Sequence, residues 1–282
     1  MSTLDPLETL YEVQQGADLA LPPTLAALYG RLQLPAHTGR PYVISNFVTT
    51  LDGVVSLNVP GKSGGGPISG FNQHDRMVMG LLRAVADAVV VGAGTLRAVP
   101  RHLWTAEYVY PALANEYQQL RSELGKAGPP LNVIVTASGA IDKALPVFQS
   151  SDIPVLIATT QEGAQRIRAQ ALGQLVEVAA VKQAGVLSAQ AILEAVSAVR
   201  QCEIILVEGG PQLMGDFFAE QRLDEQFLTL APQVAGRDKS IDRPGLVAGK
   251  LFAPEHPIWG TLVGVKRGGS HLFLRYAIER AE

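Results

Sequence analysis

The chain reads as an α/β protein with a mainly parallel central sheet flanked by helices and a C-terminal antiparallel hairpin. Three observations predict this. Short apolar runs alternate with segments of helical periodicity through most of the 282 residues, the pattern of successive strand–helix units. Two runs, Ala88-Val89-Val90-Val91 and Ile204-Ile205-Leu206-Val207, are apolar throughout and lead straight into glycine-rich turns. Such runs belong to strands covered on both faces. Finally, residues 261–266 and 271–278 flank Gly268-Gly269 and alternate in polarity, as a hairpin does.

The elements follow in order. Residues 1–39 read as a helical appendage: Leu7, Leu10, Tyr11 and Gln14 follow helical spacing, and Leu25, Leu28, Tyr29 and Leu32 repeat it after Pro22-Pro23. Residues 40–282 form the main domain. Its first strand, 42–47, is closed by the turn pair Asp52-Gly53, and 62–67 (Lys-Ser-Gly-Gly-Gly-Pro) is a flexible loop. A helix begins at Asn72, three residues before Asp75 in a capping pattern. Met77, Leu81, Leu82 and Val85 form its apolar stripe, with Arg76, Arg83 and Asp87 on another face. Strand 88–91 follows. Residues 97–130 are the least regular, with a helix near 112–124. Strands are expected at 131–136, 155–158, 176–181, 204–207 and 226–231, and helices from Gln161, from Ser188 (Ile192, Ala195, Val196 and Val199 in its stripe) and at 213–218.

Composition narrows the function. A net charge of −3 gives no electrostatic case for nucleic acid or acidic membranes. No apolar run approaches the ~18 residues of a membrane span. Met1-Ser2-Thr3-Leu4-Asp5 lacks a basic-then-apolar leader, which points to the cytoplasm. Cys202 is the only cysteine and the five histidines are scattered, so no metal site is expected. The Gly64-Gly65-Gly66-Pro67 run lacks the Gly-Lys-Ser/Thr end of a P-loop, and no Gly-x-Ser-x-Gly elbow is present. Hydride transfer fits what remains, because a cofactor carries the reactivity and the protein supplies a backbone cradle and a few anchors.

The two glycine junctions are the sharpest signals. Gly209-Gly210-Pro211 ends one buried strand before a helix, and Gly92-Ala93-Gly94-Thr95 ends another. Bare backbone amides at the positive end of a helix admit a ligand phosphate; the same turn also serves as a tight connection.

Five motifs carry a family resemblance. Asn46-Phe47-Val48-Thr49-Thr50-Leu51-Asp52-Gly53, Leu81-Leu82-Arg83-Ala84, Val91-Gly92-Ala93-Gly94-Thr95, Glu208-Gly209-Gly210-Pro211-Gln212-Leu213-Met214-Gly215, and Leu223-Asp224-Glu225 with Leu230-Ala231-Pro232-Gln233-Val234-Ala235-Gly236 occur in that order. Together they resemble the reductase domain of bacterial riboflavin-biosynthesis deaminase–reductases. The resemblance implies a dihydrofolate-reductase-like fold, NADPH as hydride donor, and commonly a homodimer. It further implies that Val48 and Thr49 line the nicotinamide end, that Gly92, Gly94, Thr95 and Leu96 contact the nucleotide, and that Gly209, Gly210, Pro211, Gln212, Leu213 and Gly215 wrap the pyrophosphate. Asn46, Asp52, Arg83 and Glu208 fall where the family binds substrate. No residue is assigned as the proton donor. Ser138, Thr159 and Thr160 are candidates near the ribose 2′-phosphate.

Each has a plainer reading. Arg83 and Asp87 stand at i and i+4 and would form a helix-surface ion pair. Asp52-Gly53 is a turn pair, and Thr159 and Thr160 are helix N-caps. Glu208, closing an apolar strand, needs a ligand or backbone partner. One departure from the family stands out. After Thr95 the family carries an Asp-Asp-Pro loop ending in an arginine that binds the pyrimidine ribosyl phosphate. Here 96–104 reads Leu-Arg-Ala-Val-Pro-Arg-His-Leu-Trp. The implied reaction is that of a 5-amino-6-(5-phosphoribosylamino)uracil reductase, with hydride delivered to C1′ of a ring-opened ribosyl aminopyrimidine or to a related heterocycle. A dihydrofolate- or pteridine-type reductase, or a non-catalytic nucleotide-binding protein, remains open on the same scaffold. Arg97, Arg101, Trp104 and Tyr108 are expected to shape substrate choice.

Overall fold

The computed structural model describes residues 4–35, 37–170, 172–238 and 240–279; the first three residues and position 36 of the expected appendage lie outside them. Among the described residues twelve strands run β1 Glu8–Glu12, β2 Ala17–Asp18, β3 Gln33–Leu34, β4 Tyr42–Thr49, β5 Ala88–Gly92, β6 Leu131–Thr136, β7 Val155–Thr160, β8 Val176–Lys182, β9 Ile204–Gly209, β10 Glu225–Leu230, β11 Gly260–Gly268 and β12 His271–Ile278. One ten-stranded sheet has the order β1-β11-β12-β10-β4-β9-β5-β6-β7-β8, and β2 pairs with β3 apart from it. From β10 through β8 every pairing is parallel. The β12, β11 and β1 edge is antiparallel. The expected mainly parallel sheet with its C-terminal hairpin is the architecture found.

Two apolar layers hold it together. Ile204 and Leu206 of β9, with Val89 and Val91 of β5, face one core beneath the Gln73–Val85 helix. Ile205 and Val207, with Ala88 and Val90, face the other, beneath the Ala189–Val199 and Pro211–Ala219 helices. Both faces of these strands are therefore dry, which is why their sequences do not alternate. The edge strand β8 is half-covered, with Glu177, Ala180 and Lys182 exposed.

The N-terminal segment departs from its helical reading. Residues 8–12 are the edge strand β1, with Glu8 opposite Arg267 and Thr9 opposite Lys266. Leu7, Leu10, Tyr11 and Gln14 do follow helical spacing, but β11 offers an open row of backbone partners, and ladder pairing outweighs a weak periodicity. Pro23–Tyr29 is a helix, as its spacing predicts, and buries Leu25 and Tyr29 one turn apart. These side chains enter the same core as the Gln73–Val85 helix. Residues 62–67 also differ from expectation: Gly65–Ser69 forms a short helix. The Asn72 cap is as expected, its side chain accepting from the Asp75 amide at 3.0 Å.

Candidate active site

At the C-terminal ends of the parallel strands the glycine junctions meet. β9 and β5 are neighbours, and a Cβ on Gly209 would stand 3.0 Å from both the Gly92 nitrogen and the Val91 Cα. Only glycine permits that approach. Gly210 follows at φ +89° and ψ 135°, a region closed to other residues without strain. A Cβ there would point at the Thr95 hydroxyl, 3.6 Å away. From this spot start the Ala93–Ala98 and Pro211–Ala219 helices, neither with a side-chain cap. Their first amides have no partner within the helices, and Pro211 at N1 lacks an N–H that would be among them.

The ladder changes register here. Val90 pairs with Val207, but Val91 pairs with Gly209, so Glu208 is the extra residue of a bulge. Bulges re-aim a side chain. This one sends Glu208 beneath the Gln73–Val85 helix, where Arg83 meets it. Arg83 Nη2 donates to Oε2 at 2.6 Å, and Nε donates to Oε1 and Oε2 at 3.0 and 3.2 Å. Arg83 Nη1 donates to the carbonyls of Leu103 and Thr105 at 3.3 and 3.2 Å. Side-chain exposure is only 2% for Arg83 and 6% for Glu208, so the bidentate pair is screened little by solvent. The helix-surface reading of Arg83 is therefore corrected. Asp87 lies past the helix end and serves Lys126 and the Glu203 and Ile204 amides instead. The partner of Glu208 is a side chain rather than a backbone group.

Asn46 and Val48 lie on that same face of β4, in register with Phe227 and Thr229 of β10. A Cβ on Gly65 would lie 2.9 Å from Val48 Cγ1, so the short Gly65–Ser69 helix roofs this side. Thr49 is buried, with its hydroxyl turned to the Thr50 carbonyl at 3.2 Å. Asp52 ties the turn after β4 to the loop after β10. It accepts from the Thr50 hydroxyl (2.6 Å) and from the Ala235 and Gly236 amides (3.0 and 2.8 Å). The Thr50 hydroxyl first, and then these amides, hold its carboxyl down at about 2. Gly53, at φ +79°, completes a turn on the Thr50 carbonyl.

The remaining positions separate. Leu96 and Leu213 place their side chains in the core, leaving backbone for a ligand; Gly94 and Gln212 are exposed. Gly215 lies in the second turn of its helix, where a Cβ would stand 2.7 Å from the Ala248 carbonyl. Its smallness admits the chain that returns over the helix, with Lys250 bound to Asp216 at 3.0 Å. Further along the same edge of the sheet, Thr160 caps Gly163 at 3.0 Å. The Thr159 hydroxyl is buried without a hydrogen-bond partner among the described residues, and the Ser138 hydroxyl accepts from the Ala140 amide at 3.2 Å.

A family model, the RibD C-terminal domain, matches residues 41–255. The chain belongs to the RibD C-terminal domain family. The riboflavin biosynthesis protein RibD of Aquifex aeolicus is 26% identical over 209 residues, which is 73% of this chain and 51% of that protein. The chain thus spans about half the length of this curated relative. Among solved structures, a pyrimidine reductase-like protein from Corynebacterium diphtheriae superposes with a TM-score of 0.68 at 23% identity, over 91% of this chain and 99% of that one. A diaminohydroxyphosphoribosylaminopyrimidine deaminase/5-amino-6-(5-phosphoribosylamino)uracil reductase from Thermotoga maritima gives 0.60 at 20%, over 85% and 57%. Likenesses at this identity establish the shared fold.

Within this RibD C-terminal domain, the segment after Thr95 contains side chains whose positions periodicity does not reveal. Trp104 is 2% exposed. Its amide donates to Asn132 at 3.2 Å, and its indole belongs to the core, so it is not placed to shape substrate choice by direct contact. The His102 ring packs edge-on against Trp104 and Tyr108, with centroids 5.2 and 4.9 Å away. Burial, and then the nearby charges of Arg83 and Arg76, push its pKa down to about 2. Asp75 is buried beside Thr229 and Ser69, and burial pushes its carboxyl up. In the sequence its only signal was its place in the helix cap. No group of three or more His, Cys, Asp or Glu among the described residues could hold a metal ion, and no described helix is long and apolar enough to cross a membrane.

Proposed function

We propose that this chain is an NADPH-dependent reductase of the riboflavin-pathway type. It would act on a ring-opened pyrimidine ribosyl phosphate or a closely related heterocycle. The observation that carries the reading is the pair of uncapped glycine junctions, side by side at the C-terminal ends of β9 and β5. Open α/β sheets bind their ligands in that position. Family membership supports the same reading. The cradle fits a dinucleotide because the space above Gly210 is what a side chain would fill, and orphan helix amides suit a pyrophosphate.

When bound, NADPH would supply the hydride. The residues around it would do the rest. The amides of Gly210, Gln212 and Leu213 would hold the pyrophosphate from one helix, and those of Gly94 and Thr95, with the Leu96 backbone beside them, from the other. Gly92 and Gly209 keep the floor flat, and the backbone of Val48 and Thr49 lines the nicotinamide end. Along the edge, β7 lies three strands from β9, about 14 Å at the usual strand spacing. Thr159, Thr160 and Ser138 would then lie toward the adenosine end, where the preference for NADPH over NADH would be set. Asn46 and Glu208, on the helix-covered face, orient the substrate, while Asp52 fixes the rim of the mouth.

The reductase unit is residues 40–282, and residues 1–39 add an edge strand and core side chains away from the glycine junctions. We place the protein in the cytoplasm as a homodimer, following the family resemblance; light scattering at twice the chain mass is the expected result, and a monomer would refute the dimer. The function itself is tested by following NADPH oxidation with the ribosylaminopyrimidine phosphate and with dihydropterins. Turnover of the first class is expected. Turnover of pterins alone would move the enzyme to the dihydrofolate type, and dinucleotide binding without any turnover would make it a nucleotide-binding protein.

A further inference from the structure

The side chain that resemblance assigns to the substrate, Arg83, has its guanidinium occupied by the protein. Nε, Nη1 and Nη2 all donate to internal acceptors: the Glu208 carboxylate and the carbonyls of Leu103 and Thr105. These acceptors come from two places far apart in the chain. Glu208 is the bulged residue immediately before Gly209-Gly210. Leu103 and Thr105 end the segment that leaves the other glycine junction and replaces the family's Asp-Asp-Pro loop. Among the described residues, Arg83 is the one side chain that bonds to both. It is 1% exposed, and its planar fork fixes direction as well as distance.

We propose that Arg83 is a positioning residue that locks Glu208 and the 103–105 backbone into one frame. The substrate loop and the cofactor cradle then present a single preorganised wall. The inference rests on the reductase reading above and changes what it requires of the substrate. An anionic group on the substrate cannot be met by Arg83 unless the pair with Glu208 opens. It must be met instead by exposed cations of the same segment, Arg97 or Arg101. Preorganisation of this kind acts on the rate through orientation, where small displacements are costly.

The test compares wild type with Arg83→Gln, Arg83→Lys, Glu208→Gln and the Arg83→Gln/Glu208→Gln double variant. Two substrates are used, the ribosylaminopyrimidine phosphate and its phosphate-free counterpart. A positioning role predicts that Arg83→Gln lowers kcat/KM by about tenfold or more on both substrates equally, with the NADPH dissociation constant within ~3-fold of wild type. Glu208→Gln should give a similar loss, and the double variant should lose much less than the product of the two, as coupled residues do. Arg83→Lys restores charge but not the fork, and should recover only part of the activity. A loss confined to the phosphorylated substrate would make Arg83 an anion anchor and overturn the proposal, as would wild-type kcat/KM in Arg83→Gln. Amide hydrogen exchange on the unliganded proteins gives a second readout. Exchange at 103–105 and at 208–210 should quicken together in Arg83→Gln or, where that variant does not fold, in Arg83→Lys. Unchanged exchange at both would refute the lock even if the wild type proved to have no reductase activity, whereas absent turnover with coupled exchange would fault only the assigned reaction.

Discussion

Gly209 and Gly92 touch across β9 and β5: the carbonyl oxygen of Gly209 lies 3.4 Å from where a Cβ on Gly92 would stand. A side chain on Gly209 does not fit, because its Cβ would stand 3.0 Å from the Gly92 nitrogen, so the two helices that begin there open onto one shared floor. That contact brings together two junctions that lie more than a hundred residues apart in the chain.

Gly210 tests that floor directly. Gly210→Val should weaken NADPH binding at least about tenfold, because the branched side chain would fill the cradle beside Thr95. It should also cost roughly 1–3 kcal/mol of stability from its backbone conformation. Fluorescence titration at a temperature where the variant stays folded separates the two effects. A stable variant with unchanged affinity would reduce the junction to a tight turn.

Gly215 should behave differently although it belongs to the same sequence motif. Its Cβ would meet the Ala248 carbonyl at 2.7 Å, so Gly215→Ala is an overpacking change, worth about 1–3 kcal/mol. Thermal unfolding should show the loss, while the NADPH dissociation constant of the folded variant stays within ~3-fold of wild type. A large affinity loss without destabilisation would return Gly215 to the cofactor site.

Trp104 and Arg97 divide the segment after the first junction into a core part and a surface part. Trp104→Ala removes a buried aromatic and should destabilise the protein by about 3–5 kcal/mol, read by urea unfolding. Arg97 is exposed, and Arg97→Ala should raise the Michaelis constant for a phosphorylated substrate with little change in stability. Equal stability losses in both variants would make the whole segment structural.

His102 should stay neutral throughout the physiological range. Its folded pKa, near 2, lies below that of the free imidazole. The unfolded chain therefore takes up the proton first as pH falls, and the stability His102 contributes above about pH 6.5 is lost progressively below it. His102→Phe, which keeps the aromatic contacts, should unfold less readily than wild type between about pH 6.5 and 4. Imidazole resonances of His102 that titrate near 6.5 would refute this.

The strand–helix alternation, the two-sided burial of β5 and β9, the Asn72 cap and the hairpin are all legible in the order of the residues. Each of these is local: a period, a turn pair or a capping spacing acts within a few residues. Both glycine junctions are legible too, since an apolar strand ending in glycine before a helix is visible in one window. That the junctions are neighbours follows from the folded sheet alone, because strand order is not written in any single segment. The fold settles the rest as well. It turned residues 8–12 into an edge strand because β11 needed a partner. It paired Arg83 with Glu208 rather than Asp87, since a bulge at Glu208 brings together residues 125 apart. It buried Trp104, and it gave Asp52 two amides from a loop that follows β10. Contacts between distant segments depend on how the sheet stacks its strands, and periodicity along the chain carries no record of that.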